Sequence, residues 1–96
     1  MLPVVKVVGV GGAGGNAVVA MSHRDLHGAE LLAFNTDAQA LSCLRGIRTM
    51  ALGERTTRGL GAGGRSEVGR AAALESCGPL AREFAETDMV FVTVGM

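Results

Sequence analysis

The chain has 96 residues, of which 48% are hydrophobic and 19% charged, and nine basic side chains balance nine acidic ones at pH 7. This length predicts one small domain, and the absence of net charge argues against a nucleic-acid-binding surface or binding to an anionic membrane. With no tryptophan or tyrosine and only three phenylalanines, base stacking on aromatic side chains is not expected either.

The sequence shows neither a membrane-spanning or signal segment nor a set of cysteines typical of disulfide-bonded proteins. No run approaches the ~20 apolar residues of a membrane-spanning helix, and no signal peptide is visible. We therefore expect a cytoplasmic protein without direct membrane insertion. Cys43 and Cys77 do not form a disulfide framework, and both are expected to be reduced.

Four apolar segments are predicted to be strands, at residues 4–10, 31–35, 48–52 and 89–94. The first and last are apolar on both faces, which is typical of a parallel sheet covered on both sides. Strands that alternate with helices form βαβ units with right-handed crossovers. The sequence therefore predicts the α/β class, as a three-layer Rossmann-like sandwich with a parallel sheet of about four strands.

Helical segments lie between these strands. A helix over residues 17–26 is predicted to end at a glycine cap, Gly28. Thr36 and Gln39 fit a capping box, with Thr36 as the N-cap of a short helix that ends near residue 44.

A longer helical stretch follows near the end of the chain. Residues 67–84 are helical by composition, but Pro79 should divide them into two helices because proline lacks the N–H that a helix interior requires. The preceding stretch, residues 53–64, is rich in glycine and is predicted to be irregular.

A glycine cluster directly follows the first strand, in the run GVGGAGGN at residues 9–16. Gly9, Gly11 and Gly14 match the G-x-G-x-x-G pattern of dinucleotide sites. Between a strand and a helix, such a loop presents backbone N–H groups and the positive end of the helix to a phosphate. A tight turn without a ligand is the alternative, but five glycines in seven positions exceed what a turn needs.

The end of the second strand bears on which nucleotide is bound. A nicotinamide or flavin site needs an acidic residue there to hold the ribose, whereas this strand ends in Asn35 and Asp37 follows two residues later. Asp37 also has a structural interpretation, as a favourable negative charge at a helix N-terminus. A small NAD-binding module of an oxidoreductase therefore stays open as an alternative.

A second glycine cluster, RGLGAGGRS at residues 58–66, nearly matches a P-loop. However, Arg65 stands where lysine belongs, and the cluster does not follow the first strand. We interpret it as a flexible loop before a helix, with Ser66 or a neighbour as N-cap and Glu67 in the first turn. Such a loop could close over a terminal phosphate, and an ordinary surface loop is the alternative.

Two histidines are spaced for a common helix face but give no metal site. His23 and His27 lie four residues apart, and no further ligands stand at a spacing suited to zinc. We interpret both as surface residues.

Taken in order, several segments resemble the N-terminal part of the FtsZ family of bacterial tubulin homologues. They are VVGVGGAGGN at 7–16, FNTDAQAL at 34–41, RGLGAG at 58–63, EVGR at 67–70 and DMVFVT at 88–93. The resemblance implies a sheet in the order 3-2-1-4 and a domain that binds GTP or GDP, with Mg²⁺ accompanying GTP. It also implies a GTPase that self-associates head to tail in protofilaments and acts with other cell-division proteins at the division site.

The resemblance also assigns nucleotide-binding residues, in three groups. The first group offers backbone amides to the phosphates, with its last member near the nucleoside. The second lies beside the phosphates and the metal, and the third lies near the γ-phosphate. In chain order these residues are Gly11, Gly12, Ala13, Gly14, Gly15 and Asn16, then Asn35 and Asp37, then Ala62, Gly63 and Gly64. No catalytic residue is assigned.

The chain departs from the family pattern in three places. Arg65 and Ser66 stand where the family usually has a proline, and Pro79 interrupts a helix that is usually continuous. The sequence also stops at Met96, before the family's glycine- and threonine-rich signature loop, its base-recognising residues and its hydrolysis-activating loop.

The expected unit is therefore the N-terminal half of a nucleotide-binding domain over residues 1–96, with no second domain. Alone, it should bind nucleotide weakly and hydrolyse little GTP. A non-catalytic modulator of FtsZ-like assembly is a further alternative. We also expect the last strand to be an exposed apolar edge through which the chain associates.

Overall fold

A computed structural model of the chain describes residues 2–24 and 28–94. The strands are β1 (Val5–Val10), β2 (Ala29–Asn35), β3 (Arg48–Ala51) and β4 (Met89–Val94), and the helices are α1 (Gly11–Ser22), α2 (Ala38–Ser42), α3 (Glu54–Thr57), α4 (Ser66–Glu75) and α5 (Cys77–Phe84). The strands form one sheet in the order β3-β2-β1-β4, and all three pairings are parallel. The predicted α/β class and sheet order are confirmed.

Helices cover both faces of the sheet. On one face, α1 packs against β1 and β2 and buries Val18 completely. On the other face, Leu80 and Phe84 of α5 pack against a core cluster whose residues come from β1, from β2 and from the residue after β3. The centroids of the Phe84 and Phe34 rings are 6.0 Å apart. The core cluster consists of Val8, Leu32, Phe34 and Leu52. The predicted three layers are therefore present.

The first helix differs from its prediction at both ends. It begins at Gly11, so the glycine cluster forms the first helical turns instead of a loop before them. Glycine has low helix propensity, but close packing on the sheet holds these turns in place. The helix ends at Ser22, so Gly28 is not its cap. The predicted end at Leu26, together with His27, lies outside the described residues.

The N-cap of α2 is Asp37 instead of Thr36, so the predicted capping box is wrong. The Asp37 carboxylate accepts a hydrogen bond from the Ala40 N–H at 3.1 Å. The Thr36 carbonyl accepts one from the Gly61 N–H at 3.2 Å. Threonine and aspartate are both good N-caps, so the local sequence does not decide between them. The hydrogen bond from Gly61, in the second glycine cluster, holds Thr36 at the position before the cap.

The stretch predicted to be irregular contains a short helix, α3. Glu75, at the end of α4, accepts hydrogen bonds from the N–H groups of Arg55 and Thr56, each at 2.9 Å. These bonds satisfy donors that a helix start leaves without partners. The contact joins residues 20 positions apart, which is why local composition does not predict the helix.

The predicted division of the last helical stretch is confirmed. The chain leaves α4 at Ser76, and α5 begins at Cys77, so that Pro79 lies in the first turn of a new helix, where its missing N–H costs little. The N-cap of α4 is Arg65, a neighbour of the predicted Ser66.

A cluster of four charged residues joins the amino ends of β1, β2 and β3 to α5. Lys6 Nζ lies 2.7 Å from Glu83 Oε2 and 3.4 Å from Glu30 Oε1. Arg48 contacts Glu30 at 2.7 Å and Glu83 at 2.5 Å. The Glu83 side chain is only 8% exposed. The hydrogen bond from Lys6, and then that from Arg48, lowers the pKa of Glu83 from its ordinary value of 4.5.

We expect this cluster to make the fold sensitive to acid. The pKa of Glu83 is lower in the folded than in the unfolded chain, so its ion pairs stabilise the fold above the ordinary pKa of 4.5. That stabilisation is lost as the pH falls through the lowered pKa. Glu83→Gln should therefore lower the Tm at neutral pH, and the difference from the wild type should shrink as the pH falls below the ordinary pKa of 4.5.

Thermal denaturation followed by circular dichroism at a series of pH values measures this effect. Glu86→Gln, three residues along the chain at an exposed position, is the matched control. Equal Tm profiles for the Glu83 and Glu86 variants would show that the cluster contributes nothing.

Candidate nucleotide-binding site

A cleft of about 280 Å³ lies at the carboxyl ends of β1 and β2, beside the start of α1. Ligands of open α/β sheets bind in this position relative to the strands. One wall is formed by the glycine-rich turns of α1 and the end of β2, and the other by α2 and the residues that follow it. The lining residues are Gly11, Gly12, Gly15, Asn16, Asn35, Ala40, Cys43 and Leu44.

Two glycines of the motif allow α1 to lie against the sheet. A Cβ on Gly9 would stand 2.1 Å from the Gly14 carbonyl oxygen and 2.6 Å from a methyl group of Val18. A Cβ on Gly14 would stand 2.7 Å from the carbonyl oxygen of Thr93 in β4. Any larger residue would push the helix away from the strands, so these positions serve packing.

Gly11 and Gly12, which lie between these two packing glycines, shape the cleft. Gly11 has φ +80°, a conformation that L side chains rarely adopt, and it turns the chain from strand to helix. A Cβ on Gly12 would meet nothing within 4 Å. The backbone at Gly12 is therefore open to the approach of a ligand, and the fold does not require glycine there for space.

The electrostatics at the start of α1 favour an anion. The N-cap, Val10, supplies no side-chain hydrogen bond, and the first turn contains no acidic residue. The first N–H groups of a helix have no partners within it, and the macrodipole adds partial positive charge at this end. A phosphate group satisfies both the free donors and the charge.

The loop between β2 and α2 brings the second predicted group into place. Asn35 lines the cleft, and its side-chain oxygen accepts a hydrogen bond from the Asp37 N–H at 3.1 Å. Asp37 is half-buried and uses Oδ1 to cap α2. Asp37 comes two residues after the end of β2, and it does not line the cleft.

The second glycine cluster docks on this loop. The Ala38 N–H donates to the Gly59 carbonyl at 3.0 Å, and Asp37 forms an isolated antiparallel bridge with Leu60. The Thr57 hydroxyl also donates to the Thr36 carbonyl at 3.2 Å. Two segments that are separate in the sequence thus dock on each other beside the end of β2.

The third predicted group lies further along the same segment. Gly63 and Gly64, both with positive φ, form an exposed turn after Ala62 and before α4. Ala62, Gly63 and Gly64 do not line the cleft, and neither do Ala13, Gly14 and Asp37. The structure therefore brings together Gly11, Gly12, Gly15, Asn16 and Asn35 of the predicted residues, whereas the other six do not line the cleft.

Three lining residues were missed by the sequence analysis: Ala40, Cys43 and Leu44. Leu44 comes close to α1, since a Cβ on Gly15 would stand 3.0 Å from its Cδ1. Their residue types are not typical of a nucleotide-binding site. Only their position, on or just after the helix that follows Asn35 and Asp37, could have indicated that they line the cleft.

The described ranges contain no group of three or more His, Cys, Asp or Glu side chains placed to hold a metal ion. His23 is exposed on the turn after α1, in agreement with its interpretation as a surface residue, and His27 lies outside these ranges. Within the same ranges, no helix has the length and apolar character needed to cross a membrane.

The parallel sheet, the glycine-rich start of α1 and the cleft at the strand ends define an open α/β domain of the Rossmann-like type. Comparison with known proteins is more specific, because the family model "Tubulin/FtsZ family, GTPase domain" matches residues 4–96. The chain belongs to the tubulin/FtsZ family.

Individual relatives agree with this assignment. The chain is 50% identical over 93 residues to the cell division protein FtsZ of Azotobacter vinelandii, covering 97% of this chain and 24% of that protein. It is 48% identical over 92 residues to FtsZ of Aquifex aeolicus, covering 96% of this chain and 25% of that protein. The chain thus spans about a quarter of the length of the curated relatives it matches.

Solved structures show the same similarity in three dimensions. An empty FtsZ dimer of M. jannaschii superposes with a TM-score of 0.92 and 38% identity, over 100% of this chain and 28% of that chain. A GTPγS-bound protofilament of CetZ2 from Haloferax volcanii gives a TM-score of 0.81 and 27% identity, over 95% of this chain and 30% of that chain.

Proposed function

We propose that this chain is the N-terminal half of a GTP-binding domain and holds the phosphates of GTP or GDP at the start of α1. The observation that carries the proposal is the open backbone at Gly12, beside a helix N-terminus without a side-chain cap. Membership of the tubulin/FtsZ GTPase family supports guanine as the base. The solved CetZ2 relative is described as bound to GTPγS.

In this proposal, each group of predicted residues contacts a different part of the nucleotide. The N–H groups of the first turns of α1 bind phosphate oxygens, and Asn16 lies towards the nucleoside. Asn35 and Asp37 lie beside the phosphates, and the segment 62–64 closes towards the γ-phosphate. The carboxylate of Asp37 suits Mg²⁺, which prefers oxygen ligands and is usually held by one or two carboxylates together with substrate phosphates.

The wider role we propose is that of the family's cell-division proteins. Solved relatives of the chain are described as a dimer and a protofilament, which supports self-association, and we propose that it is head to tail. The curated relatives are named as cell division proteins, which supports action in the cytoplasm at the division site, together with other division proteins. Because the chain spans about a quarter of these relatives, we propose that it alone hydrolyses little GTP.

Nucleotide preference tests the proposal. We expect GTP and GDP to raise the Tm of the chain in a thermal-shift titration, with no comparable rise for NAD, because the second strand ends in Asn35 and not in a ribose-binding acid. Isothermal titration calorimetry then gives the dissociation constants. A rise with NAD alone would favour a dinucleotide-binding module, and no response to GTP or GDP at millimolar concentration would refute the proposed site.

A further inference from the structure

A network of hydrogen bonds holds the second glycine cluster against the loop between β2 and α2. The Gly61 N–H and the Thr57 hydroxyl both donate to the Thr36 carbonyl, each at 3.2 Å. The Ala38 N–H donates to the Gly59 carbonyl at 3.0 Å, and the Gly59 N–H donates to the Thr57 hydroxyl oxygen at 3.2 Å. The Thr57 hydroxyl is the one side-chain group in this network, and every other member is backbone.

Packing alone does not explain a threonine at this position. Thr57 lies at the end of α3 and is only 7% exposed. Valine has the same shape and would fill the same space, whereas a hydroxyl group removed from water costs free energy unless it is hydrogen-bonded. The Thr57 hydroxyl is bonded both as donor and as acceptor, and both bonds lead towards the loop. The residue type therefore serves the contact between α3 and the loop.

The backbone directly after Thr57 is strained. Arg58 has φ 54°, and it is the one non-glycine residue with positive φ in the described parts of the chain. An L side chain is disfavoured in this conformation, which persists only where the surrounding structure imposes it. The chain turns back through Arg58 and Gly59 to reach the loop, so the hydrogen bonds of Thr57 and Gly59 hold this turn in place.

The loop that receives these bonds carries two of the proposed nucleotide-binding residues. Asn35 and Asp37 stand on either side of Thr36 in the sequence. Their side chains are held by backbone amides, because the Asp37 N–H donates to Asn35 Oδ1 and the Ala40 N–H donates to Asp37 Oδ1, each at 3.1 Å. A displacement of the Thr36 carbonyl would therefore move both side chains.

We infer that Thr57 is a positioning residue for the nucleotide site. Its hydroxyl holds Thr36, and it thereby sets where the Asn35 and Asp37 side chains stand relative to the phosphates. The inference rests on the proposed function, because it takes Asn35 and Asp37 as residues that lie beside the ligand. Thr57 does not line the cleft, so it acts on the nucleotide through the loop.

Hydrogen exchange followed by NMR tests the positioning without any nucleotide. Thr57→Val keeps the shape of the side chain and removes the hydroxyl, which leaves the Gly59 N–H without its acceptor. We expect exchange at the Asp37 and Ala40 amides to accelerate at least about tenfold more than exchange at the amides of β1, because a lost hydrogen-bond partner is costly where it was used. The β1 amides, in the interior of the sheet, report on global stability.

Calorimetric titration tests the consequence for binding. Thr57→Val should raise the dissociation constants of GTP and GDP about tenfold, and Thr57→Ser, which keeps the hydroxyl, should restore the wild-type values. Thr56→Val is the matched control, because the Thr56 hydroxyl donates to Glu75 of α4 at 2.7 Å and not to the loop. That variant should leave both the affinity and the exchange at Asp37 unchanged.

Three outcomes would overturn the inference. Equal acceleration at the loop and at β1 in Thr57→Val would show a role in stability only. A serine variant that behaves like the valine variant would show that the hydroxyl is not responsible. Faster exchange at the loop with unchanged affinity would show that the loop does not position the ligand. A wild-type chain that binds neither nucleotide would refute the proposed function, whereas the exchange data would still decide whether Thr57 holds the loop.

Discussion

Gly9→Ala is expected to lower the free energy of unfolding by about 3 kcal/mol or more. Overpacking usually costs about 1–3 kcal/mol, and the cost is at the upper end or above where the neighbouring atoms cannot move away. The added methyl group would lie 2.1 Å from the Gly14 carbonyl oxygen and 2.6 Å from Val18. Neither the helix backbone nor a completely buried valine can give way without moving α1 from the sheet. Chemical denaturation followed by circular dichroism measures the loss.

The size of the chain makes this effect severe. A fold of 96 residues has a free energy of unfolding of about 5–14 kcal/mol, so a large part of its stability depends on this one contact. Gly12→Ala, three residues away in the same motif, is the matched control, because its methyl group meets nothing within 4 Å. If both variants unfolded at the same denaturant concentration, the close approach at Gly9 would not be limiting.

Gly12→Ala is expected to weaken GTP and GDP binding by at least about tenfold, equivalent to about 1.4 kcal/mol, without loss of stability. The methyl group projects into the open space at the start of α1, where the proposed phosphate approaches the backbone. Alanine is also the better helix former, by roughly 0.5–1 kcal/mol in a helix interior. Lower affinity with an equal or higher Tm separates a binding role from a folding role.

Calorimetric titration of both nucleotides measures this change in affinity. Gly78→Ala, on α5 and away from the cleft, adds a methyl group to a helix in ordinary contact with its surroundings, 3.7 Å from Arg82, and should leave affinity unchanged. Undiminished affinity in the Gly12 variant would mean that the nucleotide does not contact the first turn of α1.

Much of the architecture is predictable from short-range pattern. The apolar runs mark all four strands to within two residues of their ends, and Pro79 marks the division between α4 and α5. The glycine run after β1 identifies the cleft, since Gly11, Gly12 and Gly15 line it. The sheet order, by contrast, came from resemblance to a family, because no local pattern in residues 89–94 states which strand they join.

The errors share one physical cause. The start of α1 at Gly11 depends on packing at Gly9 and Gly14, and the choice of Asp37 as N-cap depends on the hydrogen bond that the Gly61 N–H donates to the Thr36 carbonyl. Helix α3 depends on Glu75, 20 positions along the chain from Arg55. In each case, a contact from a distant segment decides between local conformations of similar free energy.

The amino-acid sequence by itself determined the α/β class, the glycine cluster after the first strand and the apolar strand at residues 89–94, because these follow from side-chain volume, backbone freedom and hydrophobic pattern within a few residues. The tertiary structure alone decided which glycines pack and which remain open, and which wall α2 contributes to the cleft. Those properties depend on distances between segments that only the packing of the whole chain sets.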